Sequence, residues 1–258
     1  MYYKNSIETK TLVCRDKEAL KNIQKTVKCY EEINEKELEN KYKNLTIVKS
    51  QAFKHLLNHI RDKTINTSEF RKISKRLIRI LLEESLATEN NTEVIKDSPC
   101  GYYRSFINSY EQKDYIAVSI LRSGDAILDE LLNIMPDIQI GKILVQRNED
   151  SNNKEAIYFF DKLPSDIREK KAIVVDPMIA TGGSAIASIE ILLKKGIKEE
   201  NIIFVNIISC EEGIKNLFTK FPKLKMVTGI CDPELLSIKF IAPGLGDFGD
   251  RYYGTGSH

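Results

Sequence analysis

Hydrophobic positions along the chain fall into three textures. In the stretch KEALKNIQKTVKCYEEINEKELENKYKN, which ends at Asn44, Leu20, Ile23, Val27 and Tyr30 recur at spacings of three and four among Lys and Glu, with no Gly or Pro. That spacing predicts an amphipathic helix with a wide charged face. From Leu45 the pattern shortens. LTIV predicts a brief strand, and AFKHLLNHIRDK predicts a helix that carries His55 and His59 one turn apart. A second helix opens at Ser68-Glu69-Phe70 and runs through LIRILLEESLA, with Thr67 or Ser68 as its cap. Beyond residue 115 apolar β-rich runs (YIAVSIL, IGKILVQ, KAIVVD, NIIFVNII, KMVTGI) alternate with helical ones (DAILDELLNIM, SAIASIEILLKKG, EEGIKNLFTKF). Near-continuous Val/Ile runs predict strands covered on both faces. Their alternation with helices predicts an α/β fold with a parallel sheet and right-handed crossovers.

Composition narrows the classes. A chain of 258 residues, 42% hydrophobic, can bury one substantial core. Its 39 Lys and Arg nearly cancel 37 Asp and Glu, so the basic excess of a nucleic-acid-binding domain is missing. No apolar run approaches the roughly 18 residues of a membrane span, and the opening MYYKNSIETK lacks a signal peptide's apolar core. Cys14, Cys29, Cys100, Cys210 and Cys231 are odd in number and form no CxxC, which fits buried thiols in a reducing compartment. The expectation is a cytoplasmic protein without membrane or nucleic-acid partners. It has a charged helical extension over 1–44, a main domain over 45–255, and a short appended tail at 256–258 that is set aside.

The most informative stretch is AIVVDPMIATGGSAI, residues 172–186. An apolar strand ends on Asp176, and Thr181-Gly182-Gly183-Ser184 then leads into a helix that closes at Gly196, a good residue for a helix end. In open α/β sheets, ligands bind beyond the carboxyl ends of strands. Glycines let successive amide N–H groups point into one concavity. A helix N-terminus adds partial positive charge, so a phosphate can be held without a cationic side chain. The hydroxyls of Thr181 and Ser184 can donate to the same oxygens. Asp176 would repel a phosphate and suits sugar hydroxyls or a metal-bound water. A glycine turn capped by Ser184, with Asp176 paired to a lysine, would explain the same residues structurally. The motif is neither GxxxxGK[ST] nor GxGxxG.

Three further segments repeat the theme. In VSILRSGDAILDEL, Arg122 follows an apolar strand and precedes Ser123-Gly124 and a helix, where one guanidinium could grip a diphosphate with two parallel bonds. In IGKILVQRNED, Arg147 ends a strand and a polar loop follows. Near the C-terminus, FIAPGLGDFGDRYYGT is a poor helix or strand and a good shaped loop. Alone, the first two are equally explained as strand-end ion pairs or solvated charges, and the third as a tight turn. HLLNH lacks the Glu of HExxH, and Arg61, Lys63 and Arg71 read as surface or subunit-interface charges.

VVDPMIATGGSAI resembles the 5-phosphoribosyl-1-diphosphate (PRPP) signature of the type I phosphoribosyltransferases. More closely it resembles the uracil phosphoribosyltransferase branch, where Asp-Pro replaces paired acids. The likeness extends over about 44–255, and SILRSG, IGKILVQR and GDFGDRYYGT look like eukaryotic members. It implies a Rossmann-like parallel-sheet core with a small hood, or base-binding region. It implies PRPP binding by Arg122, Arg147, Asp176, Pro177, Met178, Ile179, Ala180, Thr181, Gly182, Gly183, Ser184 and Asp247. The uracil contacts implied are Ile241, Gly246, Asp247 and Phe248, with Ile241 and Phe248 offering apolar surface. Arg122, Asp176 and Asp247 would be the catalytic residues. A non-proline cis peptide is implied near Arg122–Ser123, and a mobile loop after Arg147 would cover the diphosphate. Two departures stand out: Glu149-Asp150-Ser151 where the family has two acids and a threonine, and CDPELLSIKF ahead of the base loop.

The implied reaction is uracil plus PRPP giving UMP and diphosphate, with Mg²⁺ held mainly through PRPP and water rather than by the protein. GTP is an implied activator, and a homodimer or homotetramer the implied assembly. Another nucleobase (hypoxanthine, orotate) is the nearest alternative. Orotate would want a cation in the base loop, and there is none between Ile241 and Asp250. A phosphoribosyltransferase-fold regulator that binds nucleotide and RNA, or a silent homologue, would share the fold.

Overall fold

The computed structural model describes residue 30 and residues 33–89, 91–108, 111–147 and 156–256. The central sheet has the order β1-β10-β9-β7-β4-β5-β6. Its strands are β1 (Leu45–Ile47), β4 (Tyr115–Leu121), β5 (Gln139–Arg147), β6 (Ala156–Lys162), β7 (Lys171–Val175), β9 (Ile202–Cys210) and β10 (Lys225–Asp232), and a two-residue β8 (Met178–Ile179) adds to β9. All these pairings are parallel except β5 with β6. Order in space reverses between β7 and β4. The chain moves from β4 to β5 on one side and from β7 through β9 to β10 on the other, so the gap between β4 and β7 is the topological switch point.

Burial explains the near-continuous apolar runs. Ala117, Ile173, Val205 and Val227 enter one core layer, and their neighbours Val118, Val174, Phe204 and Met226 enter the other. The first layer is covered by α2 (Gln51–Arg61), α3 (Thr67–Ala87) and α4 (Asp125–Ile134). The second is covered by α5 (Gly183–Lys194) and α6 (Glu211–Lys220). The helix α1 (Glu35–Lys41) buries Leu38 in this second layer and belongs to the same compact unit, which starts at Glu32. Residues 1–29, 31 and 32 of the expected charged extension, Cys14 and Cys29 among them, lie outside the described residues. Among the described residues no helix is long and apolar enough to cross a membrane.

Several elements differ from the sequence reading. The cap of α3 is Asn66, whose side chain accepts from Glu69 N, so Thr67 and Ser68 are already helical. A hairpin of β2 (Asn91–Ser98) and β3 (Gly101–Asn108), which the apolar periodicity did not reveal, stands apart from the central sheet. Cys100, read as buried, is exposed at its turn. Cys210 and Cys231 are buried, and burial pushes the Cys231 thiol up to about 12. At the amino-terminal edge of the sheet, buried Glu89 accepts from Tyr115 Oη at 3.1 Å, from Lys225 Nζ at 2.8 Å and from Lys171. Burial opposes its charge, but the two ammonium groups outweigh it and hold its pKa below the ordinary glutamate value.

Candidate functional site

The two loops flanking the switch point touch. Arg122 and Ser123 follow β4, Asp176 follows β7, and Ser123 Oγ donates to Asp176 Oδ1 at 3.3 Å. The non-proline cis bond is Leu121–Arg122, one bond ahead of the place expected. Gly124 lets the loops approach: a methyl there would stand 2.5 Å from Val175 O and 2.6 Å from Ile120 O. Behind the loop, Asp125 Oδ1 accepts from Ser119 Oγ and Oδ2 from Lys142 Nζ, each at 2.7 Å, which ties the first turn of α4 to β4 and β5.

The 176–184 segment is more structured than the loop expected. Pro177 O accepts from Ile207 N and Ile208 N at 3.0 and 3.1 Å, and Met178-Ile179 pairs with Ile208-Ser209 as β8. Cys210 Sγ reaches Ala180 O at 2.9 Å, and Asn216 Nδ2 donates to Thr181 O at 3.0 Å. The chain then turns at Gly182, with φ +83°, a left-handed value that favours glycine. No side chain caps α5; Gly182 holds the cap position and Ser184 lies in the first turn. That first turn of the helix borders a cleft lined by Asp176, Met178, Ile179, Ala180, Gly182, Gly183, Ser184 and Ala185, and helix N-termini carry free amide N–H groups. Thr181 is not among its lining residues.

The glycine-rich C-terminal segment forms the third side. Its last turn is α7 (Phe248–Tyr253), capped by Asp247, whose Oδ1 accepts from Asp250 N at 2.8 Å. Arg122 Nη2 donates to Asp250 Oδ1 at 3.0 Å, Tyr253 Oη donates to Arg122 O at 3.2 Å, and the guanidinium lies 5.3 Å from the Tyr253 ring centre. A hydrogen bond from Thr255, and then the Arg122 guanidinium, hold the Asp250 carboxyl below its usual range. Ile241 and Phe248 are both buried, and Phe248 packs against Phe70 and Tyr252 with ring centres 5.3 and 5.5 Å away. Gly246 and Asp247 are exposed.

Arg122, Asp176, Asp247 and the 178–184 segment thus surround one edge of the sheet. Arg147 is the last residue of β5 at that same edge, and the covering loop expected beyond it, including Glu149, Asp150 and Ser151, lies outside the described residues. The sequence reading missed Asp250, Tyr253, Asn216 and Asp125. It also took Arg61 and Arg71 for surface or subunit-interface charges, whereas Arg61 binds Asp232 and Arg71 donates to Tyr252 O.

Against known proteins, residues 47–255 match the family model described as uracil phosphoribosyltransferase. The chain belongs to that family. Uracil phosphoribosyltransferase 2 of Schizosaccharomyces pombe is 44% identical over 204 residues, which is 78% of this chain and 90% of the relative. Uracil phosphoribosyltransferase of Dictyostelium discoideum is 39% identical over 215 residues, 82% of this chain and 97% of the relative. Among solved structures, the AQ2163 protein of Aquifex aeolicus superposes with a TM-score of 0.71 at 28% identity, covering 83% of this chain and all of that one. In this member of the family, the three loops described above meet beside the switch point. The departure at 231–240 lies just ahead of the third: Asp232 closes β10, and Glu234-Leu235 (β11) pairs with Ile241-Ala242 (β12).

Proposed function

We propose that this chain transfers the phosphoribosyl group of PRPP to N1 of uracil, a pyrimidine-salvage reaction that yields UMP and diphosphate. One observation carries the reading: at a single sheet edge an uncapped helix N-terminus, an arginine loop and a glycine-rich loop are tied together by Ser123–Asp176 at 3.3 Å and Arg122–Asp250 at 3.0 Å. In the reaction the anomeric C1–O bond breaks, and its electron pair leaves with diphosphate. Uracil N1 forms the new bond to C1 as its proton is lost.

Each loop has a role in that scheme. The amides and hydroxyls of 178–184 seat the 5′-phosphate. Arg122 exchanges Asp250 for the departing diphosphate, and Arg147 reaches the same group. Asp176 and Asp247 meet the ribose hydroxyls, where negative charge also favours a developing oxocarbenium cation. The main chain of 246–248 matches the alternating acceptors and donor of uracil. With no nucleophile required, rate comes from holding the reactants in line and stabilising the leaving charge. A Mg²⁺ arriving on the phosphates would keep its waters, with Asp176 and Asp247 placed to accept from them. The ion would neutralise diphosphate charge.

Orotate is disfavoured. Arg251, a cation beside the base loop, already donates to Ile60 O, Leu245 O and Asp62 O. A homodimer or homotetramer is supported by the β2–β3 hairpin. Ile95, Tyr102 and Phe106 are 75%, 81% and 65% exposed on it, and a lone two-stranded hairpin is marginal in water. Light scattering at several concentrations tests the assembly. Initial rates with uracil, hypoxanthine and orotate, each with PRPP and Mg²⁺ and with and without GTP, test the reaction. Uracil-dependent UMP formation is expected, and turnover of another base alone would overturn the reading.

A further inference from the structure

The base loop hangs from one residue, Gly244, whose N–H and C=O are both held. Gly244 N donates to Asp232 Oδ2 at 2.7 Å, and Gly244 O accepts from Arg61 Nη1 at 2.7 Å. The same guanidinium grips Asp232 twice, Nη1 to Oδ2 at 2.8 Å and Nη2 to Oδ1 at 2.6 Å. The pair is withdrawn from water, with side chains 17% and 3% exposed. Arg61 is the last residue of α2 and Asp232 the last of β10, so the clamp joins a covering helix to the carboxyl edge of the sheet. Gly244 has φ +60°, and a methyl on it would stand 2.0 Å from Ile241 O, so the turn has no slack. One residue on, Leu245 O accepts from Arg251 Nη1 at 2.7 Å, and that guanidinium also holds the carbonyls of Ile60 and Asp62 at the end of α2.

Stability alone is a weak reason for such a pair. Removing two charges from water is costly, and a well-packed apolar pair of similar volume is often as stable. An apolar pair, however, cannot bond both the N–H and the C=O of Gly244. The ligand that the next residues are proposed to meet is a neutral, planar base read by main-chain donors and acceptors, for which small errors of position are expensive. We infer that Arg61 and Asp232 are positioning residues for the nucleobase, which set the main chain of 246–248 through Gly244. This rests on the uracil reading above.

The test uses three proteins: wild type, Asp232→Asn, and the double variant Arg61→Met/Asp232→Leu, which removes both charges and so protects folding. For each, KM is measured for uracil at saturating PRPP and for PRPP at saturating uracil, alongside a thermal melt. Both variants should raise the uracil KM by about tenfold or more, as loss of a charge-assisted bond to a positioned peptide predicts. The PRPP KM should stay unchanged, and the double variant should melt near wild type yet keep the uracil defect. A uracil KM that recovers with the melting temperature, or two KM values that move together, would overturn the inference. Equilibrium titration decides the same point without turnover: UMP should bind more weakly to both variants, and ribose 5-phosphate as in wild type. If wild type uses another base, the uracil reading fails, while the same split measured with that base still decides the clamp.

Discussion

Gly183→Ala separates what the fold requires from what a ligand requires. Gly182 needs glycine for its backbone whatever binds, since its φ is +83° and an added carbon would lie 3.3 Å from Gly213 O. Gly183 has no such constraint: its Cβ would meet only Thr181 Oγ1, at 3.8 Å. Alanine in that first turn of α5 should even stabilise the protein by about 0.5–1 kcal/mol. If a phosphate sits on the amides of 182–184, the methyl stands at the seat and pushes its oxygens away. Loss of one charge-assisted N–H···O contact is worth about 1.5–3 kcal/mol, or roughly a 10- to 100-fold rise in the KM for PRPP. The assay is the initial rate with PRPP varied at saturating uracil, with a thermal melt on the same preparation. A stable variant with the wild-type PRPP KM would refute the phosphate seat at this turn.

Other expectations follow from the same geometry. Arg122→Ala should lower turnover at saturating substrates by about 10²–10³-fold, in line with removal of a group that stabilises leaving charge. Its melting temperature should barely move, because the Arg122–Asp250 pair is half exposed and such pairs contribute little; near-normal turnover would remove Arg122 from the diphosphate. Asp247→Asn should slow catalysis more than it weakens uracil binding, measured as kcat against the Kd for uracil, and equal effects would count against its proposed place by the ribose. Glu89→Gln concerns stability. Because the folded carboxyl lies below its ordinary 4.5, its contribution is present above that pH and is lost as pH falls through the folded value. At neutral pH the variant should lose about 3 kcal/mol, as Lys171 and Lys225 are left facing a neutral partner. Its acid unfolding limb below about pH 4.5 should be shallower than that of wild type, and superimposable acid limbs would remove Glu89 from that account.

The core strands were readable because both of their faces are buried, which leaves an unbroken apolar run such as KAIVV that few other elements produce. Asp176 and Arg122 were readable for the converse reason, a charge that ends such a run. Asp232 ends KMVTGIC in the same way, yet nothing in the local sequence joins it to Arg61, which lies 171 positions earlier. The hairpin escaped notice because its apolar residues are exposed, so no buried face imposes a period of two. The sequence around Asn66-Thr67-Ser68 offers three good caps in a row, and nothing local to it singles out the first, which the folded chain uses. The role of Phe248 could not be read from GDFGD, since whether that ring faces a ligand or Phe70 depends on where α3 lies.

The account depends most on where a sugar phosphate lands. A crystal structure with ribose 5-phosphate bound should place the phosphate on the main-chain N–H groups of 182–184, with the ribose hydroxyls toward Asp176. Phosphate density elsewhere, with that turn unchanged and empty, would contradict it.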